Sequence, residues 1–160
     1  MSPCATQRAL RQDGWVIEEA ELVIPPEDGL MIGGVPFKGK IDRVDRHEKT
    51  GALRVWDYKT GREGDPAKAH LRKIWYEDLP RPDLEWRAQH LDAEFAMAWT
   101  NLQLPLYAWA MQQKHPGTPV EAGYLHQPAT VSDAGKHLWA GLNDATIESA
   151  HACAGEIVRR

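Results

Sequence analysis

The chain has 160 residues, 42% hydrophobic and 26% charged, which suits one domain with a proper core of ordinary globular composition. No apolar run approaches the roughly 18 residues of a membrane span, Met1-Ser2-Pro3-Cys4 lacks the apolar stretch of a secretory signal, and Cys4 and Cys153 are too few and too distant for a disulfide framework or a zinc site. A net charge of -4 counts against a module that holds nucleic acid by charge alone; the cysteine usage and the missing signal lead to the expectation of a cytoplasmic protein in a reducing compartment, with no membrane partner.

In chain order, Thr6 to Gln12 reads as a short helix stopped by Asp13-Gly14, and Trp15 to Ile24 as a strand. Pro25-Pro26-Glu27-Asp28-Gly29 is a turn. A second strand is expected from Phe37 to Asp45, a hairpin loop at His47-Glu48-Lys49-Thr50-Gly51, and a third strand from Leu53 to Lys59. Residues 62–101 form an insertion that is charged, rich in tryptophan and interrupted by Pro80 and Pro82, with some helix expected. Leu102 to Lys114 is a helix ending before Pro116-Gly117, Val120 to Gln127 a strand, and Gly135 to Arg160 mostly helix. The fold class is therefore α/β: a mixed sheet of four or five strands flanked by helices, in one domain over residues 1–160. The chain starts just before its first helix and stops inside helical periodicity, so a piece of a longer protein is expected.

The chemistry concentrates in Gly39-Lys40-Ile41-Asp42-Arg43-Val44-Asp45 and Arg54-Val55-Trp56-Asp57-Tyr58-Lys59-Thr60-Gly61. Side chains alternate along a strand, so Val55, Asp57 and Lys59 share one face and Trp56 and Tyr58 the other. If the two strands pair as a hairpin, Asp42 comes close to Asp57. Adjacent carboxylates raise each other's pKa unless a cation lies between them, and carboxylate oxygens suit Mg²⁺ or Mn²⁺. Such an ion would polarise a phosphoryl oxygen and acidify a water, while Lys59 would offset charge growing on the transition state. An acid and a lysine two apart on a strand are more often a solvated pair; two strands, two acids and a lysine together point to a site.

These residues resemble the RecB-type exonuclease branch of the PD-(D/E)XK nuclease superfamily, whose restriction-endonuclease-like core has an ordered set of three motifs. Gly39-x-x-Asp42 corresponds to the first, Asp57-Tyr58-Lys59 to the second, and Gln103-Leu104-Pro105-Leu106-Tyr107 to the third. The resemblance implies a metal-dependent DNA exonuclease acting on single strands or duplex ends in repair or recombination, alongside helicase or other repair subunits. It implies Asp42, Asp57 and Lys59 as catalytic residues, and Mg²⁺ or Mn²⁺ held by Asp42, Asp57 and the Tyr58 carbonyl. It also implies a glutamate on the preceding strand, with Glu19 fitting best and Glu18 its rival. Gln103 and Tyr107, four apart on one helical face, are the implied substrate-binding pair; capping and core packing are their ordinary alternative. Pro105 fits only the first turn, which starts the helix near Leu102.

Two departures accompany the match. No histidine stands in a helical region well upstream of Asp42, and Cys4 and Cys153 do not reproduce the cysteine pattern of relatives that hold an iron–sulfur cluster. The remaining histidines form no metal spacing, and His70 reads as part of a basic stretch with Lys68, Arg72 and Lys73 on a solvated helix face. Trp75, Trp86 and Trp99 read as packing residues, with base stacking as the alternative. Two other functions compete: a catalytically silent DNA-binding or scaffolding domain, and a carboxylate–metal hydrolase of small phosphorylated molecules, which predicts a closed pocket.

Overall fold

A computed structural model describes residues 3–60, 64–126 and 135–160. Helix α1 (Pro3–Gln12) leads into β1 (Trp15–Ile24), with Gly14 between them at φ 85. A 3-10 turn at Pro26–Asp28 and a two-rung hairpin, β2 (Met31–Ile32) with β3 (Val35–Pro36), bring the chain to β4 (Gly39–His47) and β5 (Leu53–Lys59). Two short helices and three strands follow: α2 (Pro66–His70), β6 (Leu71–Trp75), α3 (Arg81–Glu85), β7 (Ala88–Leu91) and β8 (Phe95–Trp99). The chain then forms α4 (Gln103–Lys114), β9 (Val120–His126), β10 (Gly135–Leu138) and α5 (Asp144–Arg159).

The main sheet has the order β1-β4-β5-β9-β10. Its pairs are antiparallel except β5 with β9, which run parallel. A parallel pair needs a long connection between its strands, and residues 60–119 supply it, carrying the small second sheet and α4. This is a mixed α/β architecture of the kind expected from the sequence, with five strands where four or five were anticipated.

Both faces of the sheet are covered. On one, Val44, Val55, Ala122 and Tyr124 pack with Leu104, Ala108 and Met111 of α4 and Ile147, Ala150 and Cys153 of α5. On the other, Leu10 of α1 meets Trp15, Trp56 and Leu125. Trp56 is fully buried, and truncating such a side chain to alanine costs about 3–5 kcal/mol. Its Nε1 donates to Asp45 Oδ2 at 2.9 Å, and Arg43 Nε reaches Asp45 Oδ1 at 2.6 Å, so this buried carboxylate is fully engaged in structure. Asp45 is thereby removed from the list of acids free for chemistry.

Two parts of the chain hold strands that the sequence did not indicate. Residues 71–99 hold a three-stranded antiparallel sheet, β6-β8-β7, around Ile74, Leu84, Ala96 and Ala98, with only five-residue helices beside it. The segment Gly135–Leu138, expected as helix, is an edge strand on β9. The expected strand end at Gln127 lies outside the described residues.

Candidate active site

The β4–β5 ladder runs from Arg46↔Leu53 to Arg43↔Trp56 and stops. The next rung in that register would set Asp42 opposite Asp57. There the main-chain N–H of Tyr58 donates to Asp42 Oδ2 at 2.8 Å. A carboxylate thus replaces the neighbouring strand as acceptor and is held against the backbone between Asp57 and Lys59. Pairing lapses on the β1 side too: Ala20↔Arg43 and Leu22↔Ile41 are partners, and Glu21 between them has φ 55. A left-handed conformation costs a non-glycine residue roughly 1–2 kcal/mol, so the strand is locally irregular at Asp42 on both edges.

Asp57 is 7% exposed. Its Oδ2 is sealed from solvent. The Lys59 ammonium lies 2.6 Å from it, charge against charge. The lysine side chain is 38% exposed, and a pair so open to water adds only about 1 kcal/mol or less to stability. Its importance is where it puts a cation: on the buried acid, at the mouth of the site.

Strand β9 supplies the side wall. Asp57 and Tyr124 are partners in the parallel ladder, and the Lys59 ammonium sits 4.9 Å from the centre of the Tyr124 ring. The Tyr124 hydroxyl is 2.7 Å from His70 Nε2, and His70 Nδ1 is 2.8 Å from the Asn101 carbonyl. A carbonyl only accepts, so Nδ1 carries the proton, Nε2 is the acceptor and Tyr124 donates to it. This is the neutral tautomer, and the electrostatics favour it. Burial holds its pKa below the usual histidine value, helped by Lys59 and opposed by the Asn101 bond and Asp57. Burial, and then the charge of Asp57, push the Tyr124 phenol up to about 12. The His70 ring also stacks on Trp139 at 5.2 Å.

Helix α4 begins at Gln103, as the position of Pro105 required, and the Gln103 N–H bonds to Asn101 Oδ1 at 2.9 Å. Gln103 Nε2 and Tyr107 Oη are 3.4 Å apart on one face. The Tyr107 ring lies against Gly39: a Cβ there would come within 2.7 Å of Tyr107 Cε1. Glycine at the head of β4 is what lets this helix approach the strand that carries Asp42.

Glu19 is not brought to the two aspartates. It pairs with Val44 after an irregularity between Ile17 and Glu19, and it lines a cleft with Leu22, Met111, Lys114 and His115. Ideal strand spacings separate Glu19 from Asp57 by about 12 Å between Cα atoms. Glu18 is ion-paired with Arg46 at 2.7 Å. The acid facing Asp42 in the β1 register is Glu21, whose carboxylate bonds Lys40 at 2.8 Å. Among the described residues no three His, Cys, Asp or Glu side chains gather as a metal-ligand set. Tyr58 is exposed at the strand end, and its carbonyl lies in the backbone between Asp57 and Lys59. Trp99 is buried, bonding Ser149 Oγ through Nε1, whereas Trp75 is 39% exposed.

A divalent cation fits the donor set in kind: Asp57 and Asp42 offer hard carboxylate oxygens of the type Mg²⁺ and Mn²⁺ prefer, Asp57 Oδ2 now resting on the Lys59 ammonium and Asp42 Oδ2 on the Tyr58 N–H. The sequence did not reveal His70 or Tyr124, which become a unit only when β9 is laid beside β5. A tyrosine aligned with Asp57 on the neighbouring strand was the available signal. Neither a characterised protein nor a solved structure matches the chain significantly. A family model does match, over residues 4–154 and so across the β4–β5 acids and the α4 motif, and by that match the chain belongs to the PD-(D/E)XK nuclease superfamily.

Proposed function

We propose that this chain is a Mg²⁺- or Mn²⁺-dependent exodeoxyribonuclease of the RecB-type branch, acting on DNA single strands or duplex ends in repair or recombination. The observation that carries this reading is Asp42 tied to the Tyr58 N–H while Lys59 is paired with Asp57, at the end of one hairpin. Asp42 and Asp57 are the proposed ligands, with the Tyr58 carbonyl. When bound, the ion would supply Lewis acidity and acidify a water. Lys59 orients that water and offsets negative charge at the phosphorus in the transition state. Gln103 and Tyr107 contact the phosphodiester beside the scissile bond.

The exposure of Lys59 and Tyr58 supports a long substrate over a small enclosed one. Intact acids and lysine support an enzyme over a silent scaffold. Helicase or repair subunits are the proposed partners, and the cytoplasm the proposed location. The deciding experiment follows labelled single- and double-stranded DNA with Mg²⁺ or Mn²⁺, comparing wild type, Asp57→Ala and Lys59→Ala. Loss of cleavage in both variants is expected; equal cleavage by all three ends the mechanism.

A further inference from the structure

The group made by Tyr124, His70 and Asn101 lies outside the three motifs, and packing alone does not account for it. Tyr124 and His70 are 4% and 1% exposed. An apolar pair of similar size would fill the same space without requiring hydrogen bonds. What the polar pair adds is direction. The Tyr124 ring is held at its base by the ladder with Asp57 and at its far end by the hydroxyl bond to His70. His70 is fixed in turn by the Asn101 carbonyl and by stacking on Trp139. Asn101 also caps Gln103 through its side chain. One chain of contacts therefore runs from beneath Lys59 to the start of α4.

We propose that Tyr124 and His70 are positioning residues: the pinned tyrosine ring sets the Lys59 ammonium on Asp57, and His70, bonded to the Asn101 main-chain carbonyl, fixes the residue whose side chain caps Gln103 and so holds it in register. The ring attracts a cation to its face, so its tilt decides where along the Asp57 carboxylate the ammonium rests. The role assigned to Lys59 rests on the nuclease reading above; its placement by the ring does not.

Two readouts test this. The first needs neither metal nor DNA. The ε-methylene resonances of Lys59, followed by NMR, are shifted upfield by the ring in wild type. They relax toward the free-lysine position in Tyr124→Phe and His70→Phe, which lose the bond but keep an aromatic ring. His70→Gln, with both a donor and an acceptor, restores most of the shift. The second readout is cleavage: Tyr124→Phe and His70→Phe lower kcat by about tenfold or more, as expected for a misplaced reactive group, with KM within about threefold. The double variant is no worse than either single one, because both break the same link.

Unmoved Lys59 resonances overturn the proposal. So does a wild-type kcat in both phenylalanine variants while Asp57→Ala is inactive, and the nuclease reading then stands. If wild type cleaves no better than Asp57→Ala, the nuclease reading falls instead. The NMR comparison still decides whether the ring sets the lysine.

Discussion

Asp42 Oδ2 accepts the Tyr58 N–H at 2.8 Å, so the first acid of the pair is anchored to the backbone that links Asp57 to Lys59. The bond has two separable parts, an acceptor oxygen and a charge. Asp42→Asn keeps the first and loses the second. Its stability in urea unfolding should fall by less than about 1 kcal/mol, whereas metal-dependent cleavage should fall about a hundredfold. Asp42→Ala should lose the activity and also about 1 kcal/mol of stability. Wild-type rates in Asp42→Asn would show that the charge is not used.

Glu19 offers a test of which acids hold metal. It pairs with Val44 and faces a cleft with Lys114 and His115, about two strand spacings from Asp57. Mn²⁺ titrated by calorimetry should bind Glu19→Ala within about twofold of wild type, since a carboxylate so placed makes no direct bond to an ion on Asp57. Asp57→Ala should lose binding at this site. Equal losses in both variants would return Glu19 to the ligand set.

Gly39 and Tyr107 make a matched pair across the β4–α4 contact. With a Cβ at Gly39 only 2.7 Å from Tyr107 Cε1, Gly39→Ala must push the ring or the helix aside. Overpacking of this kind costs about 1–3 kcal/mol, and moving Tyr107 should lower cleavage along with stability. Combining Gly39→Ala with Tyr107→Leu should relieve most of the stability loss without restoring activity. Thermal unfolding and initial rates of the three variants check both halves. Additive stability losses in the double variant would show that the two residues do not press on each other.

How much of this was legible depends on whether a feature is local. Trp15–Ile24 and Leu53–Lys59 form strands bounded as their composition indicates, because apolar residues run between clear turn signals. Helix α4 starts where Pro105 permits. The second sheet was not legible: Leu71-Arg72-Lys73-Ile74-Trp75 carries a mixed pattern, and its strand state comes from pairing with Phe95–Trp99. Gly135-Lys136-His137-Leu138 is a strand only because β9 presents an edge. The site divides the same way. Asp57 and Lys59 are joined by strand alternation, which spacing reveals. His70 acquires its role from Tyr124, 54 positions away. In the acid run Glu18-Glu19-Ala20-Glu21, the register shift between Ile17 and Glu19 sets Glu21 rather than Ala20 opposite Asp42, and such an irregularity has no signature in composition.

His70 also makes stability depend on pH with a defined sign. Burial holds its pKa below the unfolded value of about 6.5. Between those two values the unfolded chain binds a proton that the folded chain refuses, so stability rises with pH across that window. The contribution is complete above about pH 6.5 and is lost as pH falls toward the folded pKa. His70→Phe removes this titration but keeps an aromatic ring against Trp139. Urea unfolding from about pH 7.5 to about pH 5.5 should therefore show wild type losing stability faster than the variant, narrowing the gap between them. A gap that stays constant or widens on acidification would mean that His70 is not held neutral between Tyr124 and Asn101.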